Sequence, residues 1–388
     1  MSRFLFVVPP LAGHVNPAAA VAEALATGGH EVAWVGSETY LRPTVGPHTT
    51  IYPTGLRPYR GQHDRGARAL KSLWTGFVVP FARSILSAVE KAAHDFRPDV
   101  LVVDQHALAG AAVAHRLGLR WATLCPQALE LTRPLRDRPK VEAWIAQQIA
   151  TVAPDPAVDL RFSPYLVIAF TGTVLTGPQT QFPDHVALVG PAIGSRPPVP
   201  GFPHDALDPD RALVLVTMGT LAQDIAASFY ARMVAALRPL GDRVQAVVVA
   251  PPGAVPQPPP HLLVTPRAPV LDLLDRTSAV VCHGGLNTTC EALAHGVPLV
   301  VAPIKHDQPV IASQVAQAGA GIRVRFARVT AEQLREAVTA VLDDPSYRTA
   351  AARARDCFAA AGGAPAAAAH LAALARAGMP AGAVTDRA

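Results

Sequence analysis

The chain has 388 residues, of which 50% are hydrophobic and 16% are charged, the reverse of the composition of a disordered protein. Its net charge is +5, but lysine and arginine are scattered without interleaved aromatic residues, so a nucleic-acid-binding surface is not indicated. The first ten residues have the pattern of a strand rather than of a signal peptide, and no apolar run approaches the roughly 18 residues of a membrane span. The four cysteines form no CxxC pair. We therefore expect a cytoplasmic protein with reduced thiols.

The first half of the chain alternates strand patterns with helical patterns. "RFLFVVPP" predicts a strand, and "NPAAAVAEALATGGH" predicts a helix that Asn16 caps, with Pro17 in its first turn and Gly28 at its end. "EVAWVG", "PDVLVVD" and "RWATLC" predict further strands, and "ALAGAAVAHRLG" predicts a helix between the last two. This alternation indicates a parallel sheet with helices on both faces.

A proline-rich segment, residues 189–212, separates this half from a second series of strands and helices that begins with "ALVLVTMGT". The predicted fold class is α/β, with two Rossmann-like parallel-sheet domains that face a cleft. We predict a first domain at 1–195, a linker at 196–210, a second domain at 211–378 and a tail at 379–388, with a last helix that is able to pack back on the first domain. Ligands of such sheets bind at the carboxyl ends of the strands, so the cleft is the expected site.

In the second half, a glycine pair follows a strand and precedes a helix in "AVVCHGGLNTTCEALAHG". Glycines allow close backbone approach, and the helix N-terminus attracts anions, so the stretch predicts a pyrophosphate site. The donors expected there come from two strand ends and the helix start: Thr220, His283, Gly285, Asn287 and Thr288. Glu291, one turn further, is a candidate acceptor for ribose hydroxyls. The alternative is a tight turn without a ligand, and the chain has neither a G-x-G-x-x-G motif nor a P-loop.

The same stretch contains Cys282, Cys290, His283 and His295, which together suggest a metal site. Their spacing argues against one, because neighbours on a strand point to opposite faces and residues five apart on a helix do not share a face. We predict that no metal binds and that the cysteines are buried packing residues.

In the first half, His14 follows the first strand and Asp104 ends a later one, so both are expected at the same edge of the sheet. A histidine whose second nitrogen is held by a carboxylate is a suitable general base. The alternative is that His14 packs in a turn and Asp104 caps the next helix.

Taken together, these motifs resemble those of nucleotide-sugar-dependent glycosyltransferases with the GT-B fold, of the bacterial type that glycosylates macrolides, polyketides and carotenoids. The resemblance covers nearly the whole chain and rests on "GHVNP", "LVTMGT", "PRAPVLDLL", "HGGLNTTCEAL" and "PIKHDQP". It implies that His14 is the catalytic base and Asp104 its partner, and that Asp307 and Gln308 bind sugar hydroxyls. It also implies an inverting displacement, with a nucleotide sugar as co-substrate, no cofactor and no metal.

Two features leave the substrates open. The run Arg267-Ala268-Pro269-Val270 lacks the aromatic residue and glutamine that family members often place against the base of the donor. Arg267 is able to stack on a base instead, so uracil and thymine both stay open. Aromatic residues of two apolar segments are candidates for a lipophilic acceptor pocket, with core packing as the alternative: Trp74, Phe77, Phe81 and Trp144.

We therefore expect an inverting, metal-independent glycosyltransferase that moves a sugar from a UDP- or TDP-sugar to a hydroxyl group of a lipophilic natural product. The expected partners are these two small molecules, without nucleic acid or a transmembrane segment, and a homodimer stays open. One alternative is a nucleotide-sugar 2-epimerase, which needs catalytic carboxylates in the cleft and no acceptor pocket. The other is an inactive auxiliary partner of a transferase.

Overall fold

The computed structural model describes residues 1–55, 66–127, 131, 138–153, 158–177, 180–219 and 227–377, and only the backbone of residues 66 and 67. Its strands form two separate, wholly parallel sheets. The strands of the first sheet are β1 (Arg3–Val7), β2 (Glu31–Gly36), β3 (Thr50–Pro53), β4 (Val100–Asp104), β5 (Trp121–Cys125), β6 (Val167–Ala169) and β7 (Val186–Leu188). Those of the second are β8 (Ala212–Thr217), β9 (Val244–Val249), β10 (Leu262–Thr265), β11 (Thr277–Cys282), β12 (Leu299–Val301) and β13 (Gly321–Arg323).

Helices cover both faces of each sheet. In the first half they are α1 (Ala12–Thr27), α2 (Glu38–Val45), α3 (Gly66–Leu73), α4 (Val79–Phe96), α5 (Leu108–Leu117), α6 (Pro139–Ala150) and α7 (Thr173–Thr176). In the second half they are α8 (Ala227–Leu237), α9 (Val270–Leu274), α10 (Leu286–Ala294), α11 (Gln308–Gln317), α12 (Ala331–Asp343), α13 (Pro345–Ala361) and α14 (Gly363–Arg376). The prediction of two parallel-sheet α/β units is confirmed.

The alternation of apolar residues along the central strands explains why each sheet is buried on both faces. Leu5 and Val7 of β1 lie in one apolar cluster with α4 and α5, whereas Phe4 and Phe6 lie in another with α1 and α14. The second sheet repeats this arrangement, with α8 and α12 on one face and α10, α11 and α13 on the other. Runs of consecutive apolar residues are typical of parallel strands that are covered on both sides.

The strand order indicates the edge of each sheet at which a site is expected. The first sheet runs β3-β2-β1-β4-β5-β6-β7 and the second β10-β9-β8-β11-β12-β13. In each sheet the order reverses next to the first strand, between β1 and β4 and between β8 and β11. The loops that leave neighbouring strands at such a reversal diverge to opposite faces and open a crevice at the carboxyl ends. His14 and Asp104 follow one of these strand pairs, and Gly219 and His283 follow the other.

The proline-rich segment between β7 and β8 contains one short 3-10 turn, His204–Ala206, and otherwise no regular structure. The chain returns to the first half at its end. Gly362 and Gly363 adopt φ values of +84° and +57°, the Gly363 N–H donates to the Val189 carbonyl at 2.7 Å, and α14 then packs on α1. The last helix therefore packs against the first half.

Two helical stretches are long and apolar enough to cross a membrane by length and composition, Arg68–Phe96 and Pro345–Arg376. The sequence prediction concerned continuous apolar runs, and the expectation of no transmembrane segment stays a prediction. The first stretch contains a π-helical turn and packs on the first sheet, and the second is divided at Gly362 between the two halves. In this fold both serve as packing helices.

Candidate active site at the cleft between the two sheets

Helix α1 begins earlier than the sequence predicted. Its first residue is Ala12, so Asn16 lies inside the helix and does not cap it, and Pro17 is an interior residue rather than a first-turn one. The chain after β1 turns directly into the helix, with the Leu11 N–H donating to the Pro9 carbonyl at 2.8 Å. His14 consequently lies in the first turn of α1 and not before it.

His14 and Asp104 meet at the edge of the first sheet. The His14 Nδ1 donates to Asp104 Oδ2 at 2.8 Å, and the two residues are only 4% and 1% exposed. The other carboxylate oxygen, Oδ1, accepts the backbone N–H of His106 at 2.9 Å. Because Nδ1 carries the proton that is donated to the carboxylate, the ring nitrogen with the free lone pair is Nε2. This is the geometry of a general base held by an acid.

His106 completes this cluster and was missed by the sequence analysis. It is 1% exposed, and its ring centroid lies 5.2 Å from that of His14. Burial lowers the pKa of His106 to about 3, with the neighbouring His14 acting in the same direction, so the imidazole is neutral. Neither ring nitrogen has a hydrogen-bond partner among the described residues. Its position two residues after Asp104 was the only signal available in the sequence.

His14, Asp104 and His106 are also close enough to hold a metal ion together, with ligand atoms within 4.8 Å of one another. No other set of three such side chains is found among the described residues. Both Asp104 oxygens already accept hydrogen bonds from His14 and from the His106 backbone. These hydrogen bonds are consistent with the predicted pairing of His14 and Asp104. The expectation that the enzyme needs no metal stays a prediction.

The second sheet contributes a glycine-lined edge around His283. A Cβ atom at Gly219 or at Gly285 would lie 2.6 or 2.7 Å from His283 Nε2, so only glycine leaves room for the ring at both positions. Burial lowers the pKa of His283 to about 4, and the charge of Lys305 acts in the same direction. His283 is thus neutral at pH 7, and its buried Nδ1 has no hydrogen-bond partner in the described structure.

Helix α10 starts immediately after this glycine pair, with Gly285 as its N-cap. Its first intrahelical bond is donated by Thr289 to the Gly285 carbonyl at 3.0 Å, so the backbone N–H groups of Leu286, Asn287 and Thr288 have no acceptor within the helix. The positive end of the helix dipole therefore opens toward the cleft at the predicted phosphate site.

Two side chains of α10 contact the first half of the chain and the linker. The Asn287 Nδ2 donates to the Gly13 carbonyl at 2.8 Å. Glu291 forms an ion pair with Arg196 of the proline-rich segment. Burial raises the pKa of Glu291, against the opposing effect of Arg196. Arg196 was missed by the sequence analysis, because only the path of the linker brings it to α10.

The loop after β12 brings Lys305, His306, Asp307 and Gln308 to the same cleft. Burial raises the pKa of Asp307 to about 6, while its backbone hydrogen bond and the charge of His14 act to lower it, so the loop lies near His14 of the first half. Gln308 Oε1 accepts the backbone N–H groups of Ile304 and Lys305 at 2.8 and 2.9 Å, which fixes the loop. His306 adopts a φ of +56°, unusual for a residue with a side chain.

The remaining predicted donor residues are Arg267, Thr288 and Thr220. Arg267 is exposed just beyond β10, and its carbonyl accepts the Thr265 hydroxyl at 2.8 Å. Thr288 is half-buried in the first turn of α10. Thr220 lies outside the described residues.

The predicted acceptor residues are core residues in this structure. Trp74, Phe77 and Phe81 are buried in the apolar cluster between the first sheet and α4, and the half-buried Trp144 packs against that cluster. The packing alternative therefore describes their present surroundings, because their rings fill space under the sheet. A role in acceptor binding stays a prediction.

The cysteines near His283 also pack in a core. Cys282 and Cys290 are buried in the apolar cluster between the second sheet and α10, and burial raises the pKa of both thiols, that of Cys282 to about 11. The Nδ1 of His295 interacts with the Glu291 carbonyl at 2.8 Å, away from either thiol.

The chain matches known proteins over these regions. Residues 212–374 match the family model of the erythromycin biosynthesis protein CIII-like C-terminal domain. The chain is 30% identical to 4'-demethylrebeccamycin synthase of Lentzea aerocolonigenes over 92% of this chain and 96% of that protein. It is 29% identical to the NDP-glycosyltransferase YjiC of Bacillus subtilis, strain 168, over 93% and 94% of the two chains.

A solved spinosyn rhamnosyltransferase complexed with thymidine diphosphate shares the fold, with a TM-score of 0.72, 24% identity, and coverage of 96% of this chain and all of that one. Two parallel sheets that face a cleft are the GT-B arrangement. The chain therefore belongs to the family of nucleotide-sugar-dependent glycosyltransferases of natural products.

Proposed function

We propose that this glycosyltransferase moves a sugar from a UDP- or TDP-sugar to a hydroxyl group of a lipophilic small molecule, with inversion at the anomeric carbon. The observation that carries the proposal is the 2.8 Å hydrogen bond from His14 Nδ1 to Asp104, which leaves Nε2 as the basic nitrogen. The N-terminus of α10 lies across the cleft from it, since Asn287 of that helix contacts Gly13.

In the proposed reaction, His14 Nε2 takes the proton of the acceptor hydroxyl while the hydroxyl oxygen attacks the anomeric carbon of the donor sugar. The bond from that carbon to the diphosphate oxygen breaks, and the nucleoside diphosphate leaves with the bonding electrons. Asp104 stabilises the imidazolium that forms, as a buried carboxylate next to a cation does. A single displacement of this kind inverts the anomeric configuration.

The leaving diphosphate is proposed to bind at the N-terminus of α10. Backbone N–H groups and the helix dipole stabilise negative charge without a divalent cation. The backbone around Gly285 is able to approach the phosphates closely, while His283 is neutral and offers a hydrogen bond rather than a charge. Thr288 and Thr220 are proposed to add hydroxyl donors.

The sugar and nucleoside are proposed to lie on either side of this diphosphate. Asp307 and Gln308 are proposed to bind sugar hydroxyls, and the electrostatic effect of His14 on Asp307 supports this. Glu291 is proposed to accept from the ribose, with Arg196 holding its carboxylate, and Arg267 is proposed to stack on the base. The spinosyn enzyme with bound thymidine diphosphate supports the TDP option for this cleft.

The acceptor pocket is proposed to lie in the first half, where the hydroxyl has to reach His14. We also place the enzyme in the cytoplasm, because its four cysteines are unpaired, three of them buried. Residues 1–195 are proposed as the acceptor domain and residues 211–378 as the donor domain, joined by the linker that carries Arg196.

The test is a matrix of UDP- and TDP-sugars against hydrophobic alcohols, read by mass spectrometry, with the product anomer assigned by NMR. We expect sugar transfer with inversion of the anomeric configuration, and we expect this activity to persist after dialysis against EDTA. A product of retained configuration, or activity that EDTA removes and Mg²⁺ restores, contradicts the proposal. Incubation with donor alone separates an epimerase, which would convert the donor sugar without an acceptor.

A further inference from the structure

One side chain connects the two predicted reaction centres. The Asn287 Nδ2 donates to the Gly13 carbonyl at 2.8 Å, and these residues are 274 positions apart in the chain. Gly13 directly precedes the base His14 in the first turn of α1, and Asn287 is the second residue of α10, where the diphosphate is expected. The hydrogen bond thus joins the helix of the base to the helix of the leaving group.

The sequence of α1 makes this carbonyl available. In a regular helix the Gly13 carbonyl accepts from the N–H four residues later. That residue is Pro17, which lies inside α1 and has no N–H. The proline ring also crowds the carbonyl of the fourth residue before it and turns it away from the helix ladder. The Gly13 oxygen therefore needs another donor, and Asn287 supplies it.

Asn287 keeps the capacity to bind a ligand at the same time. A side-chain amide has two N–H donors and an acceptor oxygen, and the contact with Gly13 uses one N–H. The second N–H and the backbone N–H at the start of α10 are available to a phosphate oxygen. One residue is thus able to contact the donor and the helix of the base together.

We propose that Asn287 is a positioning residue, which holds the first turn of α1, and with it His14, in register with the donor site through the carbonyl that Pro17 releases. This role rests on the proposed transfer function and is separate from phosphate binding. It makes Pro17 part of the catalytic geometry, although Pro17 touches neither substrate.

The discriminating variant is Pro17→Ala, which leaves Asn287 unchanged but gives the Gly13 carbonyl an intrahelical donor. We expect kcat to fall about fivefold, the effect of weakening one neutral hydrogen bond, while the Kd of the nucleoside diphosphate stays the same. Thermal stability should hold or rise, because an interior proline is removed from a helix. Loss of rate together with gained stability is not the signature of a damaged fold.

Pro43→Ala is the matched control. Pro43 is also an interior helix proline, but it is exposed in α2. It should alter stability in the same direction without changing kcat. Asn287→Ala should lower kcat and weaken diphosphate binding, and Pro17→Ala should add no further loss of kcat in that background.

An unchanged or raised kcat in Pro17→Ala overturns the proposal, as does an additive loss in the double variant. If Asn287→Ala changes only the Kd of the diphosphate and not kcat, Asn287 acts as a phosphate ligand alone, and the proposal is overturned as well. The proposed function fails separately, when the unsubstituted enzyme transfers no sugar or when His14→Ala keeps full transfer.

Discussion

Burial keeps three histidines of the cleft neutral at pH 7 and raises the pKa of one aspartate toward neutrality. The pKa of His106 falls to about 3 and those of His283 and His306 to about 4, so these imidazoles carry no charge at pH 7. Asp307 is the acidic counterpart, with a pKa raised to about 6. A ligand that brings two phosphate charges therefore meets donors that are neutral and desolvated, apart from Lys305.

Asp307→Asn should stabilise the protein and impair transfer. The pKa of about 6 in the folded protein exceeds the usual aspartate pKa of 3.8, so the folded state binds the proton more tightly, and the Asp307 contribution to stability falls as pH rises from about 4 to about 6. At pH 8 the asparagine variant should be more stable by about 3 kcal/mol, because each pKa unit corresponds to about 1.4 kcal/mol and the pKa of Asp307 rises from 3.8 to about 6 on folding. Denaturant unfolding at pH 4 and pH 8 should show this advantage shrinking at the lower pH.

Asp307→Asn should also raise the KM of the donor sugar about tenfold, because a hydrogen bond from a sugar hydroxyl to a carboxylate becomes one to an amide. Asp184→Asn, at an exposed position in the first half, is the control and should change neither quantity. Equal stability of Asp307→Asn and unsubstituted protein at pH 8 would show that the carboxylate is not buried as described.

At the level of elements, the β11–α10 connection depends on the absence of side chains around His283. Gly285→Ala should lower the affinity for the nucleoside diphosphate about tenfold, since a displaced imidazole and N-cap misplace hydrogen bonds to an anion. Its φ of −64° is accessible to alanine, so the cause is the 2.7 Å approach to His283 Nε2. Isothermal titration with UDP and TDP measures the effect.

Gly28→Ala is the control for that variant. Gly28 is likewise a helix cap at negative φ, at the C-terminus of α1. The nearest atoms lie 3.3 Å or more from a Cβ added there. If both variants bind the diphosphate like unsubstituted protein, the glycine-lined edge is not the phosphate site.

Element type was largely predictable, because apolar runs bounded by glycine and proline indicate a parallel sheet, whereas the order of the strands comes from the structure. The start of α1 was not predictable. "NP" signals a helix start, but the chain leaves β1 in a turn at Pro9 that already sets Ala12 in helical conformation. Tertiary contact compensates for the interior proline, through Asn287, and no local pattern reveals such a partner.

The site was predictable in part for the same reason. His14 and Asp104 lie at strand ends of the first sheet and the β11–α10 glycines at a strand end of the second, so strand order brings each group to the carboxyl edge of its own sheet. The positions of His106 and Arg196 depend on how the loop after β4 and the proline-rich segment fold back. Their neighbours in the site, His14 and Glu291, are distant in the sequence. The aromatic residues of α4 and its preceding turn gave no way to distinguish core from pocket, since both are apolar.

On the scale of the whole molecule, the two halves are held together by the chain end. Helix α14 belongs to the second half in sequence but packs in the apolar cluster of the first, where Leu371 is fully buried. Leu371→Ala should cost about 2–4 kcal/mol of unfolding free energy, as expected for a buried leucine that leaves a cavity. Chemical denaturation measures it, with exposed His370→Ala as the control. A loss below about 0.5 kcal/mol would mean that α14 is not docked.

The central claim is that His14, held by Asp104, takes the proton of the acceptor in sugar transfer. The most direct measurement is single-turnover transfer by His14→Ala, beside titration of the same variant with nucleoside diphosphate and beside the exposed-residue control His48→Ala. The account predicts a rate reduced about 10²- to 10⁴-fold, the usual contribution of a general base, with diphosphate affinity retained and the control unaffected. A His14→Ala enzyme that transfers at the unsubstituted rate would contradict it.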